Sequence, residues 1–170
     1  MKRGDNDMRY HNITKDDMLN GDGLRVVLWL AGCEHHCKNC QNPVTWDPNG
    51  GLPFDQAARQ EIFDQLEKSY ISGVTFSGGD PLYPGNRMEI TALAKEIREK
   101  FPEKTIWLYT GSLWETVKGY EVMKYVDVLV DGEYECDKRD TQLHWKGSSN
   151  QRVIDVQDSL RRGQVVLHNS

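Results

Sequence analysis

Three cysteines within eight residues, Cys33-Glu34-His35-His36-Cys37-Lys38-Asn39-Cys40, constrain this chain more than any other stretch of it. An iron–sulfur cubane is held by cysteine thiolates, usually four. The C-x3-C-x2-C spacing supplies three, which can hold three irons and leave the fourth without a protein ligand. An open iron can bind a substrate directly, as the open position of a catalytic zinc site does. Structural zinc is the competing reading, with His35, His36 or Cys136 as fourth ligand. Such sites usually draw their ligands as two close pairs across a longer spacer. No second pair exists here, because Cys136 stands alone and His144 lies eight residues beyond it. His35 and His36 read instead as solvated loop residues, and Cys136 as an ordinary small side chain. A secreted disulfide scaffold would be shorter and richer in cysteine than 170 residues with four. The clustering points to a metal or redox site in a reducing compartment, hence the cytoplasm.

The cluster follows a short valine-rich run, Leu24–Leu30, that reads as a buried strand. The cysteines therefore occupy the loop at that strand's C-terminal end. After a polar stretch from Asn42 to Pro53, Asp55 is a fitting N-cap for a helix. Its buried stripe is Ala58, Ile62, Leu66 and Tyr70, with Phe63 alongside. Gly73–Phe76 is the second predicted strand, followed at once by Ser77-Gly78-Gly79-Asp80-Pro81. Asn86 with Glu89 resembles a capping box for a helix whose stripe runs through Ile90, Leu93, Ala94, Ile97 and Phe101. Thr105–Tyr109 is a third strand ending in Thr110-Gly111. A shorter helix is predicted over Leu113–Tyr125, then a strand over Val126–Val130 ending in Asp131-Gly132. Val153–Val156 and Gln164–His168 are candidates for one or two more strands. This alternation argues for parallel βαβ units with right-handed crossovers, in which ligands bind beyond the carboxyl ends of the strands. The cysteine loop, the Gly-Gly-Asp turn, Thr110-Gly111 and Asp131-Gly132 are thus expected on one rim.

At 170 residues the simplest division is a single domain over the whole chain, with a short irregular tail at about residues 1–8. A complete eight-unit β/α barrel needs ~250 residues. The net charge of −5 leaves no footprint for nucleic acid. No apolar run approaches the ~18 residues of a membrane helix, and the polar first residues do not resemble a signal peptide. Neither a Gly-x-Gly-x-x-Gly fingerprint nor a phosphate-binding P-loop occurs.

The cysteine spacing strongly resembles the signature of the radical S-adenosylmethionine superfamily. Ser77-Gly78-Gly79-Asp80-Pro81 resembles that superfamily's Gly-Gly-Glu-Pro element, which contacts the methionine ammonium group. Aspartate keeps the acceptor charge of the commoner glutamate and shortens its reach. Further stretches are similar to the activating enzymes of class III, anaerobic ribonucleotide reductase. They are Asn20-Gly21-Asp22-Gly23-Leu24-Arg25, Cys40-Gln41-Asn42-Pro43-Val44-Thr45-Trp46, Ser77–Pro84, Ile106–Gly111, Val128–Gly132 and Trp145-Lys146-Gly147-Ser148-Ser149-Asn150-Gln151-Arg152. Asp22 replaces a proline of those activases, and Gln41 a tyrosine found in many. Asn39 stands where the wider superfamily often carries an aromatic residue.

The resemblance implies an α/β fold, a partial (βα) barrel of mostly parallel strands of the radical S-adenosylmethionine type. It implies one [4Fe–4S] cluster ligated by Cys33, Cys37 and Cys40, and S-adenosylmethionine bound by Asn39, Cys40, Gln41, Gly78, Gly79 and Asp80. Thr110 and Asp131 are candidates for ribose or carboxylate contacts. In such activases the reduced cluster splits the sulfur–C5′ bond, giving methionine and a 5′-deoxyadenosyl radical. That radical removes a hydrogen from a glycine Cα of the reductase, so no general acid or base is required. The implied partners are the large subunit of the anaerobic reductase and a flavodoxin- or ferredoxin-type electron donor, with neither nucleic acid nor membrane. The nearest alternative is a radical S-adenosylmethionine enzyme with another substrate, similar to 7-carboxy-7-deazaguanine synthase or pyruvate formate-lyase activase. A non-catalytic zinc-binding interaction module is the remote one.

Overall fold

The computed structural model describes residues 8–33, 35, 47–140 and 142–168. Four strands lie side by side and parallel: β2 (Arg25–Leu30), β4 (Gly73–Gly78), β5 (Thr105–Tyr109) and β6 (Val128–Asp131). Around them β1 (Arg9–Asp17), β3 (Leu52–Pro53) and β7 (Arg152–Asp155) join as antiparallel neighbours. The result is a mixed α/β fold on one seven-stranded sheet, ordered β3-β1-β2-β4-β5-β6-β7. Crossovers run through α1 (Gln56–Leu66), α2 (Pro84–Lys100) and the short α3 (Trp114–Val117), and α4 (Val156–Arg162) follows β7. No helix among the described residues is long and apolar enough to cross a membrane.

Side chains alternate across a strand with period two, and here the alternation sorts two chemistries. Val26, Leu28, Leu30, Val74, Phe76, Ile106, Leu108, Leu129 and Ile154 face the helices and pack on Ile62, Leu66, Ile90, Leu93 and Ile97. Each fully buried aliphatic side chain contributes about 1.5–3 kcal/mol. Trp107, Val128 and Val130 occupy the other face, with Tyr109, Trp145 and Val153 packed on them. Arg25 and Thr75 share that face and are fully buried. With both faces covered, the parallel strands are apolar almost throughout.

Arg25 closes the amino-terminal end of the parallel strands. Its Nε donates to Thr75 Oγ1 at 2.9 Å, Nη1 to Asp22 O and Thr105 Oγ1 at 2.8 Å, and Nη2 to Val74 O and Thr105 O at 2.9 and 2.7 Å. The guanidinium also lies 5.6 Å from the Trp107 ring centroid. Burial pushes its pKa down to about 10.

The helices predicted from apolar stripes form, and Asp55 caps α1 by accepting from the Ala58 amide. Several boundaries differ. Tyr70 lies past the end of α1 and is half exposed. The capping box does not form, because Pro84 sits in the first turn of α2, where its missing N–H is no loss. Asn86 instead donates to Ala31 O at 2.8 Å, and Glu89 accepts from the Met8 amide at 3.1 Å. The helix expected over Leu113–Tyr125 divides into α3 and a 3-10 turn, Glu121–Lys124, with the helix-weakening Gly119 between them. Residues 153–155 lie in β7, which starts at Arg152, while Val156 already opens α4, and 164–168 contribute only a bridge from Leu167 to Ile154. Both β1, a polar strand lying between β3 and β2, and α4 were unforeseen. Residues 1–7 of the expected tail lie outside the described residues, and Met8 is fully buried.

Candidate active site

Parallel strands bring the segments that follow them to a common rim, and backbone hydrogen bonds fasten these together. The amides of Gly79 and Asp80, after β4, donate to Leu30 O and Gly32 O of the β2 end at 2.9 and 2.7 Å. Gly132, after β6, donates to Ser112 O at 3.0 Å. Gly78 takes φ 101°, and a Cβ there would lie 2.3 Å from the Leu30 nitrogen, so only glycine allows this approach.

Asp80 is the polar centre of the rim and is only 2% exposed. Its Oδ1 accepts from the Leu82 amide at 2.9 Å. Its Oδ2 accepts from Thr110 Oγ1 at 2.9 Å and from the Gly111 amide at 3.1 Å. The same Oδ2 lies 2.7 Å from His35 Nε2, while His35 Nδ1 lies 3.0 Å from Glu133 Oε1. The hydrogen bond to Asp80 outweighs partial burial and, with Glu133, pushes the His35 pKa up to about 9. His35 is therefore not the solvated loop residue expected from its polar surroundings. Two carboxylates far along the chain hold it, and its side chain is only 18% exposed.

Below this rim, on the face opposite the helices, lies a cavity of about 530 Å³. That is within the usual size of small-molecule sites. Cys33, His35, Ser77, Gly78 and Gly79 line one side, and Tyr109, Thr110, Gly111, Trp145 and Gly147 another. Cys33 is buried at this wall. Two buried polar atoms, Tyr109 Oη and Trp145 Nε1, find no hydrogen-bond partner among the described residues. Burial holds the Tyr109 phenol above its ordinary pKa. Trp145 has φ 68°, rarely adopted by a bulky side chain, and its ring stacks on His144 at 3.9 Å and meets Trp107 edge-on at 5.6 Å.

The Trp145–Arg152 segment closes the cavity from the β7 side. Gln151 Oε1 accepts from the amides of Gly147 and Ser148 at 2.9 and 3.2 Å, and its Nε2 donates to Gly132 O at 2.9 Å. Asn150 Nδ2 donates to Glu133 O at 2.8 Å. Arg152 pairs with the fully buried Asp131 and with Glu115, and both carboxylates raise its pKa. Asp131 also accepts from the Trp114 amide at 2.8 Å. The Asp131 and Thr110 side chains are thus engaged within the protein rather than turned toward a ligand.

Of the predicted site residues, Cys33, Gly78, Gly79 and Asp80 meet at this rim, whereas Cys37, Asn39, Cys40 and Gln41 lie outside the described residues. Among the described residues no three His, Cys, Asp or Glu side chains gather as a metal site. Sequence reasoning missed the contribution of Tyr109 and Trp145. The alternation Ile106-Trp107-Leu108-Tyr109 already separated the two aromatic residues from the aliphatic ones.

A buried cysteine at a strand end, beside a glycine-walled cavity, suits a metal cluster with a ligand next to it. In keeping with this, residues 19–154 match the family model of the 4Fe-4S single cluster domain. The chain is 47% identical over 153 residues to the anaerobic ribonucleoside-triphosphate reductase-activating protein of Enterobacteria phage T4, spanning 90% of this chain and 97% of that protein. The proteins of the same description from Escherichia coli (strain K12) and Pasteurella multocida (strain Pm70) are 40% and 37% identical, each spanning 86% of this chain and 97% and 96% of their own length. The chain belongs to the family of anaerobic ribonucleoside-triphosphate reductase-activating proteins.

Proposed function

We propose that this chain is a radical S-adenosylmethionine activase that generates a glycyl radical on an anaerobic ribonucleotide reductase. The observation that carries the reading is the meeting of the Cys33 loop with the Gly78–Asp80 turn at one wall of the cavity. Cys33, Cys37 and Cys40 would hold a single [4Fe–4S] cluster. When bound, it supplies the electron that splits the sulfur–C5′ bond of S-adenosylmethionine and so yields a 5′-deoxyadenosyl radical.

The chain's own residues supply geometry. Gly78 and Gly79 keep side chains out of the methionine side of the cavity and offer backbone groups there. Asp80 fixes that turn through its hydrogen bonds to Leu82, Thr110 and Gly111. Asn39, Cys40 and Gln41 complete the proposed contacts to S-adenosylmethionine from the cysteine loop. Tyr109 and Trp145 give the cavity an aromatic wall that excludes water. Removal of a hydrogen atom needs no general acid or base, and no candidate for one is invoked.

We read the whole of 1–170 as a single domain, a partial (βα) barrel of the radical S-adenosylmethionine type with a short N-terminal tail. A macromolecular substrate entering from an open side belongs to the same reading. A soluble, cytoplasmic enzyme drawing electrons from a flavodoxin or ferredoxin completes the proposal.

The test is anaerobic reconstitution with iron and sulfide, followed by dithionite, S-adenosylmethionine and the reductase. The wild type is expected to release 5′-deoxyadenosine and give the reductase a glycyl-radical paramagnetic signal, both lost in Cys37→Ala. A colourless, zinc-loaded protein with no cleavage would overturn the proposal.

A further inference from the structure

His35 lies two residues after Cys33 and two before Cys37, yet among the described residues its ring meets partners 45 and 98 positions away. An acceptor stands at each ring nitrogen: Asp80 Oδ2 at 2.7 Å from Nε2 and Glu133 Oε1 at 3.0 Å from Nδ1. Those carboxylates follow β4 and β6. Asp80 is itself fixed by the amides of Leu82 and Gly111 and by the Thr110 hydroxyl. The ring also rests against Gly111, where a Cβ would lie 2.4 Å from Cδ2 and 2.7 Å from Nε2. Gly111 is outside the left-handed region, so the ring, rather than the backbone, disfavours a side chain there. One imidazole thus bridges the segments that follow β4, β5 and β6 and ties His35, two residues beyond Cys33, to them.

We propose that His35 is a positioning residue that holds the cysteine loop in register with the Gly78–Asp80 turn. It thereby sets where a cluster on that loop stands relative to the methionine-binding side of the cavity. The proposal rests on the function argued above only for the identity of cluster and ligand. The tie itself is made by the protein's own side chains. His35 acts through the placement of its neighbours.

Two substitutions break the tie by different routes. His35→Ala removes the ring. Gly111→Ala leaves the ring in the chain but pushes it off Asp80. In the apo-protein, both are expected to speed alkylation of Cys33 by iodoacetamide about tenfold by freeing the loop, while circular dichroism stays that of the wild type. In the reconstituted protein, both are expected to retain cluster iron and sulfide. S-adenosylmethionine should bind about tenfold more weakly, and its addition should perturb the cluster's paramagnetic spectrum less. His35→Gln, which can still reach one carboxylate, is expected to fall between these variants and the wild type.

Wild-type alkylation rates in both His35→Ala and Gly111→Ala would overturn the proposal, whatever the cofactor. So would unchanged ligand affinity in Gly111→Ala, even if His35→Ala failed to fold. A wild type that takes up no iron and binds no S-adenosylmethionine would sink the functional reading instead, leaving the alkylation result to decide the tie.

Discussion

Asp80 illustrates how a shortened side chain alters the task of a carboxylate. Its two oxygens receive the Leu82 and Gly111 amides and the Thr110 hydroxyl, which hold the group inside the rim. The resemblance had suggested a shorter reach toward a ligand. The structure shows the same carboxylate knitting the ends of β4 and β5 together. Tyr109 presents the opposite case, a buried hydroxyl with no partner among the described residues. Burial disfavours the phenolate, so Tyr109 is expected to stay neutral through the range around pH 10 where a solvated tyrosine ionises. The sign follows from linkage. A pKa raised in the folded state leaves stability intact below the unfolded value and erodes it as pH rises beyond. Ultraviolet titration of the native protein should therefore give the same amplitude near that pH for wild type and Tyr109→Phe. A variant whose amplitude falls by one tyrosine would place the phenol in water.

Among the elements, the Trp145–Arg152 segment draws three of its hydrogen bonds from one side-chain amide. Gln151 satisfies the Gly147 and Ser148 amides and donates to Gly132 O. Gln151→Leu would leave these groups without their partner, at about 1–3 kcal/mol for each that stays dry. A urea midpoint lowered with an unchanged m-value is the expected result, and an unaltered midpoint would count against it. The segment was legible in the sequence only as a resemblance. Nothing in its polar composition announces a folded wall, because its order comes from side chain to backbone bonds rather than from periodicity. α1 and α2 were legible because their apolar residues repeat at the helical period, and β2 because it is a short, nearly continuous apolar run. β1 was not, since Arg9–Asp17 is polar, buries no residue fully and is fixed by its antiparallel pairing to β2 rather than by an apolar alternation. The capping box at Asn86 failed for a comparable reason, as a tertiary contact to Ala31 O claimed the side chain first.

At the scale of the whole molecule, the two ends of the sheet have different duties. Arg25 joins the start of β2 to those of β4 and β5 and to the Asp22 turn, far along the strands from the rim that carries Cys33 and Asp80. Arg25→Met is expected to lower stability by about 3 kcal/mol, because three backbone carbonyls lose a charged donor. Lysine should not rescue it, lacking the planar fork that reaches them together. Denaturant unfolding measures the loss. In the fraction still folded, affinity for S-adenosylmethionine should change less than about threefold. An equally large loss of affinity would show that the two ends are coupled. The rim was legible before the fold because parallel strands place every following loop at the same end. Its internal wiring was not, since His35, Asp80 and Glu133 meet across separations of 45 and 98 residues that no local pattern encodes. The alternation within β5 carries a hereditary consequence. Losing one codon between Thr105 and Tyr109 would turn the residues beyond it over, sending aromatic rings toward the helices and aliphatic ones toward the cavity. Lineages can therefore lengthen or trim the connecting loops of this sheet, but along β5 they are confined to exchanging one letter for another.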